Sequence, residues 1–113
     1  MHINDLLATA VKRGASDLHM KVGSFPMLRI DGTLLPANQE KRLDPQDMEG
    51  IAATLLNPVQ RQKFEKSQEV DVAYAMPSLG RFRCNVFQQR GTIGLVIRVI
   101  PSRVPTVDEL QLP

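Results

Sequence analysis

Along this chain the spacing of apolar residues changes period several times, and each change marks an element. Ile3, Leu6, Leu7, Ala10 and Val11 recur at the spacing of one helix face. With Asn4 as cap and Gly14 as stop, they predict an amphipathic helix over 4–13. From Ser16 to Val22 the period becomes two, with Leu18, Met20 and Val22 on one face and Asp17, His19 and Lys21 on the other, as in a strand. Gly23-Ser24 turns the chain into a second strand over 27–30. Asp31-Gly32 is a hairpin turn into Thr33-Leu34-Leu35.

Asn38 to Arg42 reads as a polar loop, and Asp44-Pro45 pairs a capping side chain with proline at the first helical position. That start predicts a helix to about Leu56. Asn57-Pro58 repeats it for a helix to about Lys66 that buries Val59 and Phe64. Alternation returns at 69–76, with Val70, Val72 and Tyr74 against Asp71 and Ala73. After Pro77-Ser78-Leu79-Gly80, two more strands follow over 81–88 and 92–100, joined at Gln89-Arg90-Gly91. The order αβββααβββ, with hairpin-length links, implies an α+β domain: a mostly antiparallel sheet with helices on one face. Pro101 to Pro113 reads as a linker into a short turn over 106–110, and its Val107, Leu110 and Leu112 need something further to pack against.

The last two strands carry the chemistry. Matching their apolar faces sets Phe82 against Ile97, Cys84 against Leu95 and Val86 against Ile93. This register puts Arg81 opposite Arg98, Arg83 diagonal to Arg98, and Gly94 opposite Asn85. Charge then changes the picture. Residues 1–78 hold nine Lys/Arg against ten acids, whereas Leu79 to Val104 holds five arginines and neither lysine nor acid. Like charges facing one another on a sheet cost some tenths of a kcal/mol, roughly, and guanidinium forks suit carboxylate or phosphate oxygens. Two readings stay open: an anion supplied from outside, or a solvated face with salt bridges to acids such as Asp71 and Glu69.

Composition narrows the classes. The apolar fraction of 42% fills a modest core of one domain, and no apolar run approaches the ~20 residues of a membrane span. The N-terminus does not read as a signal peptide. One cysteine, Cys84, excludes an intrachain disulfide, and its parity makes it a core residue rather than a nucleophile. His19 is expected to join a local hydrogen-bond set with Ser16 and Asp17, and no metal site is expected. There is no phosphate-binding loop and no dinucleotide fingerprint in the sequence.

Gly14-Ala15-Ser16-Asp17-Leu18-His19, Arg29-Ile30-Asp31-Gly32, Arg81-Phe82-Arg83-Cys84-Asn85-Val86-Phe87 and Ile97-Arg98-Val99-Ile100-Pro101 together resemble the N-terminal PAS-like domain of the secretion and pilus motor ATPases. The nearest branch is the type IV pilus retraction ATPases, of PilT/PilU type. The stretch 106–113 is similar to the link into their RecA-like motor domain, although Gln111 stands where a glycine is common and Phe25 where a second proline is. A first helix that begins beside Met1 leaves no room for the extra N-terminal domain of the assembly ATPases, which favours the retraction branch.

The resemblance implies a PAS-like domain over 1–100 and a linker over 101–113 towards the motor domain. It implies Arg83 and Arg98, with Arg81 as the lesser candidate, as arginines that reach ATP phosphates held by a motor domain of a homo-hexamer and couple hydrolysis to domain rotation. Magnesium-dependent ATP is then the cofactor of the full-length protein; the isolated chain binds it weakly and does not hydrolyse it. The implied partners are the protein's own motor domain, neighbouring subunits and the platform protein of the inner membrane, with a cytoplasmic location at that membrane and a role in twitching motility. Two alternatives are a nucleic-acid-binding β-ribbon using Phe82 and Phe87 for stacking, and a PAS-type sensor with a ligand in its core, which the apolar inward faces disfavour.

Overall fold

A computed structural model of the chain describes residues 2–100; the expected linker and short turn at 101–113 lie outside them. The described elements run α1 (Ile3–Lys12), β1 (Asp17–Lys21), β2 (Met27–Ile30), β3 (Thr33–Pro36), α2 (Pro45–Leu55), α3 (Pro58–Ser67), β4 (Glu69–Met76), β5 (Gly80–Gln89) and β6 (Thr92–Ile100).

Local chemistry accounts for most of these boundaries. Both α2 and α3 open with a capping box: the Asp44 carboxylate accepts from the Asp47 N–H while Asp47 accepts from the Asp44 N–H, and Asn57 and Gln60 do the same for α3. Proline follows each cap, where its missing N–H costs nothing. Helix α3 depends on this start, because only Phe64 of its ten residues is buried. Replacing Asn57 with alanine should destabilise the domain by about 1 kcal/mol, read as a lower midpoint in urea unfolding.

Two expectations about the helices change. His2, not Asn4, caps α1, its Nδ1 accepting from the Asn4 N–H at 3.1 Å. Asn4 lies one step inside the helix and takes the Tyr74 hydroxyl of β4 on its Oδ1 at 2.7 Å. Val59 is 75% exposed, for it occupies the first turn of α3 on the side away from the sheet.

All strand pairs are antiparallel, in the order β3-β2-β1-β6-β5-β4. The sheet is thus two three-stranded meanders joined where β1 lies beside β6. The α2–α3 segment carries the chain from one edge strand, β3, to the other, β4. Helices and sheet share one core, which includes Leu7 and Ala10 of α1, Met48 and Ala52 of α2, Phe64 of α3, and Leu18, Leu28, Phe82, Cys84, Val86 and Ile97 of the sheet. The helices leave the other face of the sheet open.

The β5–β6 register differs from the expected one by two residues. Arg83 faces Arg98, Cys84 faces Ile97, Val86 faces Leu95 and Phe87 faces Gly94, while Arg81 faces Ile100 and Asn85 faces Val96. A slip of two keeps every side chain on its face, so matching apolar faces cannot detect it. The turn decides: Arg90 and Gly91 form a two-residue loop with both φ positive (54° and 79°), closed by Gln89 opposite Thr92. The same construction, Asp31 (φ 51°) and Gly32 (φ 81°), closes β2 on β3. Phe87 then lies over Gly94 so closely that a Cβ there would come within 2.7 Å of its ring.

Candidate functional site

The open face of the sheet holds the expected arginines. Cross-strand pairing lines up Arg29 of β2, Asp17 of β1, Arg98 of β6, Arg83 of β5 and Ala73 of β4 in one row. Arg81 stands one row further on, between Ala75 and Ile100. Arg83 and Arg98 are therefore brought together more directly than the sequence suggests, and Arg81 less so.

The acid beside them is Asp17. Its Oδ1 accepts from Arg98 Nε at 3.4 Å; its Oδ2 lies 3.5 Å from Arg29 Nε and accepts from Ser16 Oγ at 3.2 Å. Neither Asp71 nor Glu69 takes an arginine, since both accept from the Asn85 amide, at 2.9 and 3.0 Å. The salt-bridge reading thus holds for Arg98, with a different acid that also pairs Arg29, and it fails for Arg81 and Arg83. Among the described residues Arg81 and Arg83 have no acid within ion-pair distance. Arg98 uses only its Nε edge on Asp17, and both arginines of the facing pair are exposed to solvent. One carboxylate against Arg29, Arg98 and Arg83 leaves the row with two positive charges in excess, a surface that suits an oxyanion able to accept from two forks.

Asp17 and Arg29 are the residues that sequence reasoning missed at this site. Parity placed Asp17 on the correct face, but nothing local pairs β1 with β6, whose facing residues Asp17 and Arg98 are 81 apart. His19 does not join Ser16 and Asp17. Alternate residues of a strand are about 7 Å apart, and its buried Nε2 has no hydrogen-bond partner. It lines a depression of about 300 Å³ on the open face with Met27, Leu34, Phe87 and Val96.

The alternatives fare differently. Phe82 is fully buried, as its parity required, so it offers no stacking surface to a nucleic acid. The core of the PAS-type sensor reading is filled by side chains from both layers. Cys84 is buried with its thiol pushed up to about 12 by desolvation, as a core residue should be. The thiol therefore stays protonated throughout the neutral range, and a thiol reagent at pH 8 should label Cys84 only as fast as the domain unfolds. Rapid labelling of the native protein would contradict this placement.

No protein-family model matches the chain. Among solved structures, the crystal structure of the pilus retraction motor PilT with bound ADP superposes with a TM-score of 0.85 at 35% identity, covering 100% of this chain and 33% of that one. The Legionella pneumophila ATPase DotB shares the fold, with a TM-score of 0.74 at 22% identity over 98% of this chain and 31% of that one. The fold is that of an accessory domain of a motor ATPase.

Among curated proteins, the type IV pilus retraction ATPase PilT of Pseudomonas aeruginosa is 40% identical over 99% of this chain and 32% of its own length. The type IV pilus ATPase PilU of the same organism is 33% identical over 100% of this chain and 29% of its own length. The chain belongs to the PilT/PilU-type pilus ATPases, as their N-terminal domain. It spans about a third of the length of these relatives.

Proposed function

We propose that this chain is the PAS-like N-terminal domain, residues 1–100 with a linker at 101–113, of a hexameric pilus retraction motor, and that its arginines serve the ATP held by a motor domain. The observation that carries the reading is the facing pair Arg83 and Arg98, exposed and short of negative charge on the helix-free side of the sheet. That the relative PilT is a retraction motor with ADP bound supports a nucleotide as the anion.

The residues present fit phosphate oxygens through guanidinium forks, but the sequence has no phosphate loop, so they add contacts to a nucleotide bound elsewhere. ATP supplies the phosphoryl group and its magnesium neutralises part of the charge. Arg83 and Arg98, with Arg81 in a lesser role, donate to oxygens on which charge accumulates in the transition state. An arginine that engages only when the phosphate is present also ties the position of this domain to the state of the nucleotide, the link that couples hydrolysis to rotation. In this reading the chain alone does not hydrolyse ATP, and its partners are the motor domain, neighbouring subunits and the platform protein at the cytoplasmic side of the inner membrane. The test is ATP hydrolysis by the full-length protein carrying Arg83→Ala or Arg98→Ala; activity unchanged in both sinks the proposal.

A further inference from the structure

Asp17 is the only charged side chain buried among the described residues, at 8% exposure. A buried carboxylate is costly unless its oxygens are occupied, and here both are. Arg29 and Ser16 take Oδ2, and Arg98 takes Oδ1. Arg29 is itself anchored, its Nη1 donating to the Gly32 carbonyl of the β2–β3 turn at 3.1 Å. A continuous line of contacts therefore runs from that turn through Arg29 and Asp17 to Arg98, across three strands.

The line ends in a particular way. Arg98 docks by Nε, near the root of its guanidinium, and yet its side chain is 73% exposed. It is held at the base and open at the tip, beside Arg83. An untethered arginine spreads over many rotamers and loses that freedom on engaging a ligand. A guanidinium fixed through Nε keeps both Nη groups available in one orientation. We infer that Asp17 is a positioning residue that aims the terminal fork of Arg98 at the phosphate shared with Arg83. This rests on the phosphate-contact reading of Arg83 and Arg98. Neutralising charge is the lesser part of its role, because Arg83, with no acid within ion-pair distance among the described residues, needs the counter-charge more and receives none from Asp17.

A mutant cycle on ATP hydrolysis by the full-length protein tests this. Asp17→Asn, close in shape, should lower kcat about tenfold with KM changed less than about twofold, as expected when a group is misplaced in the transition state rather than lost from ground-state binding. In an Arg98→Ala background the same substitution should cost less than about twofold. An equal cost in both backgrounds means that Asp17 acts only through the stability of the domain, and it overturns the inference. So does an Asp17→Asn protein with unchanged kcat. Should Arg98→Ala alone leave kcat unchanged, Arg98 has no phosphate contact and this inference falls with it, while the wider reading still stands on Arg83; if only Asp17→Asn is silent, the positioning role falls alone. Arg98→Lys carries the same question should Asp17→Asn not fold. Lysine keeps the charge but has no Nε edge, so kcat should fall to within about threefold of Arg98→Ala, and a rate near that of the unsubstituted protein contradicts the inference.

Discussion

Replacing Arg83 with alanine in the full-length protein should lower the kcat of ATP hydrolysis by about 10²- to 10³-fold, with KM for ATP changed by no more than a few-fold. The size follows from what an arginine supplies at a transferring phosphoryl group, about 10³-fold or more in other systems, less what Arg98 retains. Arg83 is the cleaner of the two positions for this measurement. It is exposed, sits between Ala73 and Arg98, and has no ion-pair partner among the described residues. Removing it breaks no side-chain hydrogen bond or ion pair among the described residues and relieves a like-charge pair, so the melting temperature should hold or rise slightly.

Arg98→Ala behaves otherwise, because it also takes one of two arginine partners from the buried Asp17 carboxylate. Its loss of rate should come with a loss of stability. Arg83→Lys separates charge from geometry: a point charge cannot span two oxygens, so most of the defect should remain. A slow Arg83→Ala protein that also melts early would point to damage of the fold in place of a missing contact. Arg81, opposite Ile100 and one row away, should cost much less than either.

What was legible in the sequence was local. The prolines after Asp44 and Asn57, the Asp31-Gly32 turn and the period-two alternation of β1, β4, β5 and β6 are each written in a few consecutive residues, and the structure places them accordingly. The arginine pair was legible because it needs only the parity of one hairpin. Its exact partners were not, since face-matching is blind to a slip of two and only the Arg90-Gly91 turn resolves it. Asp17 was out of reach for a different reason. Its place beside Arg98 depends on β1 pairing with β6 across the whole chain, a closure fixed by the shared core and not by any local signal. His19 fails in the same way, for its surroundings come from β2, β3, β5 and β6 together.

The second large effect belongs to the core beneath the arginines. Phe82 alternates with Arg81 and Arg83 on β5 and is fully buried, facing Tyr74 on one side and Val99 on the other. Phe82→Ala removes a ring from a layer closed over by helices, and such deletions cost about 3–5 kcal/mol. A domain of this size is stable by roughly 5–15 kcal/mol in all, so the variant should be largely unfolded near its former midpoint. The melting temperature should fall by at least about 12 °C at ~4 °C per kcal/mol. Val59→Ala, at a side chain 75% exposed, should change stability by less than about 0.5 kcal/mol, which separates burial from mere hydrophobicity. Phe82→Leu should lie between them. The two β5 variants also fail differently in hydrolysis. Phe82→Ala should lose rate as temperature rises through the melting of the domain and recover it on cooling, because the arginines return with the strand. Arg83→Ala should stay slow at every temperature. A Phe82→Ala protein that melts normally would mean that β5 is not held by the core, and the placement of Arg83 on a rigid strand would fall with it.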